Sequence, residues 1–95
     1  ASSALAFATD MVNYDYFDHA DRQGRDVAGR IDEIGYRWMS VGENLGINQK
    51  TVAEIIQDWL DSPSHCRMMM DPTFTEAGIA RYKNVWVLHL GKPEF

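Results

Sequence analysis

The sequence predicts an α+β domain in which helices cover a small antiparallel sheet. Apolar residues recur at helical spacing in several stretches before Pro63. Near the C-terminus two segments, residues 75–82 and 85–90, have strand character and are separated by the turn pair Lys83-Asn84. The strands are few and most of them follow the helices. That order suits an α+β chain rather than an alternating α/β one.

The first helix is expected from Ser2 and Ser3, both able to cap an N-terminus. Leu5, Ala8, Val12 and Tyr16 then fall on one face, widened by Ala4, Phe7 and Met11. The run from Asn13 to His19 carries the helix end and a loop, and residues 21–24 have turn composition. Asp26 is the expected N-cap of a second helix with an apolar stripe at Val27, Ile31 and Ile34. Gly35 follows where a left-handed residue ends a helix. Residues 36–41 read as a short strand leading into Gly42-Glu43-Asn44, which has the composition of a turn that presents an acid and an amide.

The clearest helix follows. Thr51-Val52-Ala53-Glu54 is a capping box, and Val52, Ile55, Ile56, Trp59 and Leu60 form one apolar face. Pro63 stops this helix and opens another, with Ser62 as N-cap and His65 on the first turn. Met68, Met69 and Met70 suit adaptable core packing. In the last strand Trp86, Leu88 and Leu90 alternate with Val85, Val87 and His89.

Composition narrows the function. The 95 residues make a single domain, 1–95, with 45% hydrophobic and 24% charged residues, as in ordinary globular proteins. A net charge of −5 without a basic cluster argues against nucleic acid or an anionic membrane as partner. No apolar run has the length of a membrane span. One cysteine, Cys66, excludes an internal disulfide and a cysteine-only zinc cage. No secretory leader is evident, so the chain is expected to be cytosolic, already processed or trimmed.

Three polar residues could carry chemistry. His19, Glu43 and His65 are two imidazoles and a carboxylate, a set that suits Zn²⁺ or another first-row divalent cation with a position open for water. The same set could do acid–base work. Their spacing matches no metal motif, and local roles account for them better than chemistry does: His65 at a helix start, Glu43 accepting at a turn, His19 on a surface loop. Ser62 could be a nucleophile if His65 approaches it, and helix capping explains it more simply. Glu54 is explained by the capping box, and His89 by a strand position with a hydrogen-bond partner.

Four blocks in order change the balance: Tyr16-Phe17-Asp18-His19, Gly42-Glu43-Asn44-Leu45, the run from Trp59 to His65, and Phe74-Thr75-Glu76-Ala77-Gly78. Together they resemble the CAP superfamily (cysteine-rich secretory protein, antigen 5, pathogenesis-related 1), also called the SCP domain, in its bacterial disulfide-free branch. The resemblance implies an α-β-α sandwich and a central cleft with two histidines and two acids. His19, Glu43 and His65 match three of the four. Ser62 stands where the eukaryotic pattern has its second acid, so any Zn²⁺ site is expected to be weaker than a three-ligand catalytic centre. Met68 and Leu88 replace residues common in bacterial members, and the family's further first helix is expected to be missing ahead of Ser2. The resemblance implies a secreted, extracellular or periplasmic, non-enzymatic module. Its cleft, with His19, Glu43, His65 and Ser62, would bind a divalent cation, a small molecule, a lipid or a protein. The alternatives are a hydrolase using His19 and His65 with a metal or Ser62, and a lipid or sterol carrier.

Overall fold

The computed structural model describes residues 2–94. The elements are α1 (Ser2–Asn13), α2 (Val27–Glu33), β1 (Trp38–Ile47), α3 (Val52–Asp61), α4 (Pro63–Met70), β2 (Glu76–Tyr82) and β3 (Val85–Pro93). The three strands form one antiparallel sheet in the order β1-β3-β2. This is the α+β fold expected, with helices on both faces of the sheet.

The central strand shows why. Every residue from Val85 to Gly91 is buried, because β3 is covered on both faces. Its alternation sorts side chains into two cores. Val85 and Val87 join Leu45 and the α1 residues Ala4, Phe7, Ala8 and Met11. Trp86, Leu88 and Leu90 join Ile55 and Trp59 of α3, with Ile56, Met68, Met69 and Phe74 at the margin. Each large apolar side chain so buried stabilises the fold by about 1.5–3 kcal/mol. Trp59 is 2% exposed, and its indole N–H donates to the Leu45 carbonyl at 2.9 Å. That bond ties α3 to β1 and satisfies the one polar atom that burial would otherwise strand.

Several local expectations are met. Asp26 accepts from Gly29 N, Thr51 Oγ1 accepts from Glu54 N, and Ser62-Pro63 opens α4. Gly35 has φ 83°, the left-handed conformation that ends α2 without a Cβ penalty.

Others are corrected. Glu43 lies within β1, which runs ten residues and includes the whole Gly42-Glu43-Asn44 triplet rather than turning there. Pairing with β3, residue Glu43 against His89, keeps the chain extended and overrides the turn composition. The helix faces are narrower than predicted. Leu5, Ile34, Val52 and Leu60 are exposed, while Ala4, Phe7, Ile31, Ile55 and Trp59 are buried. Short helices on a three-stranded sheet bury a stripe of only two or three positions per turn pair. The side chain of Ser2, one expected cap, lies outside the described residues. Ser3 does not cap α1 but turns its hydroxyl to His89.

Candidate functional site

The site is built on an edge strand. β1 has β3 on one side only, so alternate residues send their side chains to opposite faces at an open margin of the sheet. Glu43 and Leu45 point to the α1 and α2 face, and Gly42, Asn44 and Gly46 to the α3 and α4 face. A cleft of about 310 Å³ opens across this margin, lined by His19, Glu43, Asn44, His65 and Met68, with Asp26 and Val27 at the start of α2. His19, Glu43 and His65, distant in sequence, therefore line one cleft.

Glu43 is the hub of one face. Its side chain is 1% exposed. Arg30 grips it with a fork, Nη1 to Oε2 at 2.8 Å and Nη2 to Oε1 at 3.0 Å. His19 Nδ1 lies 2.8 Å from Oε1, and His89 Nε2 lies 2.6 Å from Oε2. Each oxygen thus meets two donors, and the lone pairs of the carboxylate are filled by the protein. Burial opposes ionisation of Glu43, but the hydrogen bonds from His89, Arg30 and His19 outweigh it and hold the pKa below the ordinary carboxylate value. An ionised carboxylate has no proton to give. His19 Nδ1 and His89 Nε2 must therefore be the N–H donors in their bonds to it.

The His19 loop is held from both ends. Arg30 Nη2 donates to the His19 carbonyl at 2.7 Å, and Arg22 pairs with Asp10 of α1 at 2.8 Å. Within the loop Asp21 accepts from Gln23 N and Arg25 N, and from Arg25 Nε. Burial raises the Asp21 pKa, but the bonds from Arg25 and Gln23 prevail and lower it. The Arg22 guanidinium likewise lowers that of Asp10. The Arg30 guanidinium stacks 3.5 Å over the Phe7 ring, and its Nε is buried without a hydrogen-bond partner among the described residues.

On the other face Asn44 Nδ2 donates to the His65 carbonyl at 3.1 Å, which fixes the first turn of α4 against β1. Ser62 Oγ does not cap that helix. It sits 2.9 Å from His65 Nδ1. Both cleft histidines thus have Nδ1 engaged, His19 by Glu43 and His65 by Ser62. Glu43 leaves a neutral His19 with its lone pair on Nε2; His65 presents a lone pair at Nε2 when its Nδ1–H donates to Ser62 and an N–H there when the Ser62 hydroxyl donates to Nδ1.

No ligand geometry follows for a closed metal centre. Among the described residues no group of three or more His, Cys, Asp or Glu side chains could hold an ion. With Glu43 saturated, the donor set fits at most two imidazoles and water, not a three-ligand zinc site.

Sequence reasoning missed Arg30, and it read His89 as a strand residue with a hydrogen-bond partner without finding that the partner is Glu43. The signal for Arg30 was chemical rather than positional: an acid buried on a strand needs a cation, and Arg30 adjoins Ile31, the buried residue of α2.

A three-stranded antiparallel sheet between helices, with a cleft at its edge strand, is the architecture of a bacterial SCP-domain protein. Residues 1–88 match the cysteine-rich secretory protein family (CAP), and the chain belongs to that family. It is 30% identical over 79 residues to the uncharacterized protein YkwD of Bacillus subtilis (strain 168), covering 83% of this chain and 31% of YkwD. It is 24% identical over 79 residues to the uncharacterized membrane protein YlbC of the same organism, covering 83% of this chain and 23% of YlbC. The chain thus spans about a third or less of these relatives. In structure it resembles an extracellular SCP-domain protein of Bacillus anthracis strain Ames, with TM-score 0.92 and 22% identity, over 97% of this chain and 31% of that one. It also resembles an outer surface protein of Borrelia burgdorferi, with TM-score 0.89 and 20% identity, over 98% of this chain and 72% of that one. These two structures share its fold.

Proposed function

We propose that this CAP domain is a non-enzymatic binding module whose edge-strand cleft offers His19 and His65 to a small ligand, a divalent cation such as Zn²⁺ among them. One observation carries the reading: the two imidazoles line the same cleft with Nδ1 already engaged, so each has Nε2 left for a ligand. Zn²⁺ would be held more weakly than in a three-ligand centre, because Glu43 is spent on protein donors and Ser62 brings no charge. An extracellular or periplasmic setting agrees with the neighbours described as extracellular and outer-surface proteins, and no helix among the described residues is long and apolar enough to cross a membrane.

The hydrolase reading draws on the contact between Ser62 Oγ and His65 Nδ1. It lacks a third group, since among the described residues no carboxylate hydrogen-bonds to His65 and Ser62 is not part of the cleft wall. A lipid or sterol carrier would leave the Nε2 atoms of His19 and His65, which have no hydrogen-bond partner among the described residues, facing hydrocarbon.

Calorimetric titration with Zn²⁺ tests the proposal. Saturable binding by the wild type, lost in both His19→Ala and His65→Ala, is the expected result. An absence of saturable heat, or undiminished binding by the two variants, overturns it.

A further inference from the structure

We infer that Arg30 and His89 are the positioning residues of the cleft, acting through Glu43 to hold His19 with its proton on Nδ1 and its lone pair on Nε2. The inference builds on the cleft as a ligand site only for its consequence for binding; the proton position belongs to the free protein.

The geometry gives each residue a separate task. Arg30 fixes the plane of the Glu43 carboxylate, because its two terminal nitrogens reach different oxygens at 2.8 and 3.0 Å. The same Nη2 also donates to the His19 carbonyl at 2.7 Å. Arg30 therefore sets both the backbone from which His19 departs and the oxygen on which its ring lands. A lysine could supply the charge but not the fork. The guanidinium is itself confined, 11% exposed and stacked on Phe7.

His89 fixes the remaining freedom. Gripped by Arg30 alone, Glu43 could still tilt, and its Oε2 would lack a second donor. His89 supplies it at 2.6 Å from the central strand, directly across the ladder from Glu43. His89 is held in turn by Ser3, whose hydroxyl lies 2.8 Å from Nδ1. With Nε2–H committed to Glu43, neutral His89 accepts the Ser3 proton at Nδ1. The chain Ser3, His89, Glu43, His19 runs from the first turn of α1 to the cleft, and every proton in it has one consistent place. His19 is the one member of that chain with a largely exposed side chain, 58%. Its Nε2 is the atom the arrangement prepares, in the way a carboxylate behind a ligating histidine fixes the ring and its proton.

Long-range ¹H–¹⁵N correlation spectra of the histidine rings at pH ~8.5, about two units above the ordinary imidazole pKa, test this on the free protein. The wild type should show His19 and His65 distinctly, with His19 in the Nδ1–H form, opposite to the form free imidazole side chains favour. Arg30→Lys should convert His19 to a mixture with Nε2–H. His89→Leu should do the same, and His89→Gln, whose amide can still donate to Glu43, should restore the wild-type pattern. These ring signals distinguish positioning from mere support, which would lower the melting temperature without moving the proton. Ser3→Ala, at a half-buried site, serves if the core variants fail to fold; it removes the hydroxyl that holds the His89 ring and should shift His19 partly to Nε2–H, while His89, still donating to Glu43, keeps its proton on Nε2. Zn²⁺ titration of the same samples should show affinity about 10–100-fold lower for Arg30→Lys. His19 in the Nε2–H form in the wild type, or unmoved by Arg30→Lys, overturns the inference. Proton positions that shift as expected in a protein that binds no Zn²⁺ leave it standing and overturn cation capture instead.

Discussion

Replacing Glu43 with glutamine removes one charge at constant shape, and the structure sets the cost. Four donors converge on the carboxylate, two from Arg30 and one each from His19 and His89. A carboxamide keeps one acceptor oxygen and adds an NH₂ group that faces donors. The histidines can shift their protons to adapt. Arg30 cannot, and it is left as a nearly buried, uncompensated cation, which costs about 3–5 kcal/mol. A domain of 95 residues has a total stability of about 5–14 kcal/mol. With about 4–8 °C of melting temperature per kcal/mol at this size, Glu43→Gln should melt at least ~12 °C below the wild type. Thermal melts followed by circular dichroism read this directly. The same reasoning predicts that Glu43→Leu combined with Arg30→Met recovers most of the loss, because an apolar pair of similar volume removes the stranded charge. A drop below ~4 °C for Glu43→Gln, or a double variant as unstable as the single one, would refute the account of a charge-saturated hub.

Trp59→Ala should cost about 3–5 kcal/mol, since it empties the centre of the α3 core and orphans the Leu45 carbonyl; urea unfolding with an unchanged slope checks it. Gly46→Ala should cost about 1–3 kcal/mol, because a Cβ there overlaps Cδ1 of the fully buried Ile55. Gly42→Ala should cost less, as its overlap is with the flexible Met68 Sδ, and the two melting temperatures should differ in that order. Acid should destabilise the fold through Glu43, Asp10 and Asp21, whose folded pKa values all lie below the unfolded ones. A depressed carboxylate contributes its stability above the unfolded pKa and loses it as pH falls through the folded one. Melts should therefore hold above about pH 5 and decline below about pH 4, and Glu43→Gln should flatten that decline.

Much of this fold can be read from residue spacing, and what cannot be read has a common cause. The α3 helix is legible because its cap, its apolar period and its proline stop agree. The two-faced character of β3 is legible because Trp86, Leu88 and Leu90 alternate with Val85 and Val87, and each set finds its own core. Glu43 misleads because glycine, acid and asparagine together read as a turn, whereas long-range pairing with β3 keeps them extended. Arg30 is invisible for a related reason. On a two-turn helix an arginine looks like the solvated face, and only the acid brought to it from another element reveals it as buried. Ser62 shows the reverse case. Its sequence context fits a helix cap, but His65 three residues on competes for the hydroxyl and takes it.

The edge position of β1 explains why three adjacent residues can do three different things. On a central strand both faces are roofed, and a Glu43-Asn44 pair would be buried with no opening between its two sides. At the margin of the sheet the strand has a layer above and a layer below but nothing beside it. Alternation then becomes a device for joining the layers. Glu43 goes up to the α2 face and fixes the ring of His19; Asn44 goes down to α4 and fixes the backbone of His65. Gly42 makes room for Met68 and Phe74, which lets α4 approach closely enough for the Asn44 bond. A slip of one residue in the pairing of β1 with β3 would exchange the two faces, putting the carboxylate among Trp86, Leu88 and Leu90 and the amide beside Arg30. Neither histidine would then be held. The cleft thus depends on register as much as on residue identity, and the observed register sets Glu43 directly opposite His89, where its charge is met.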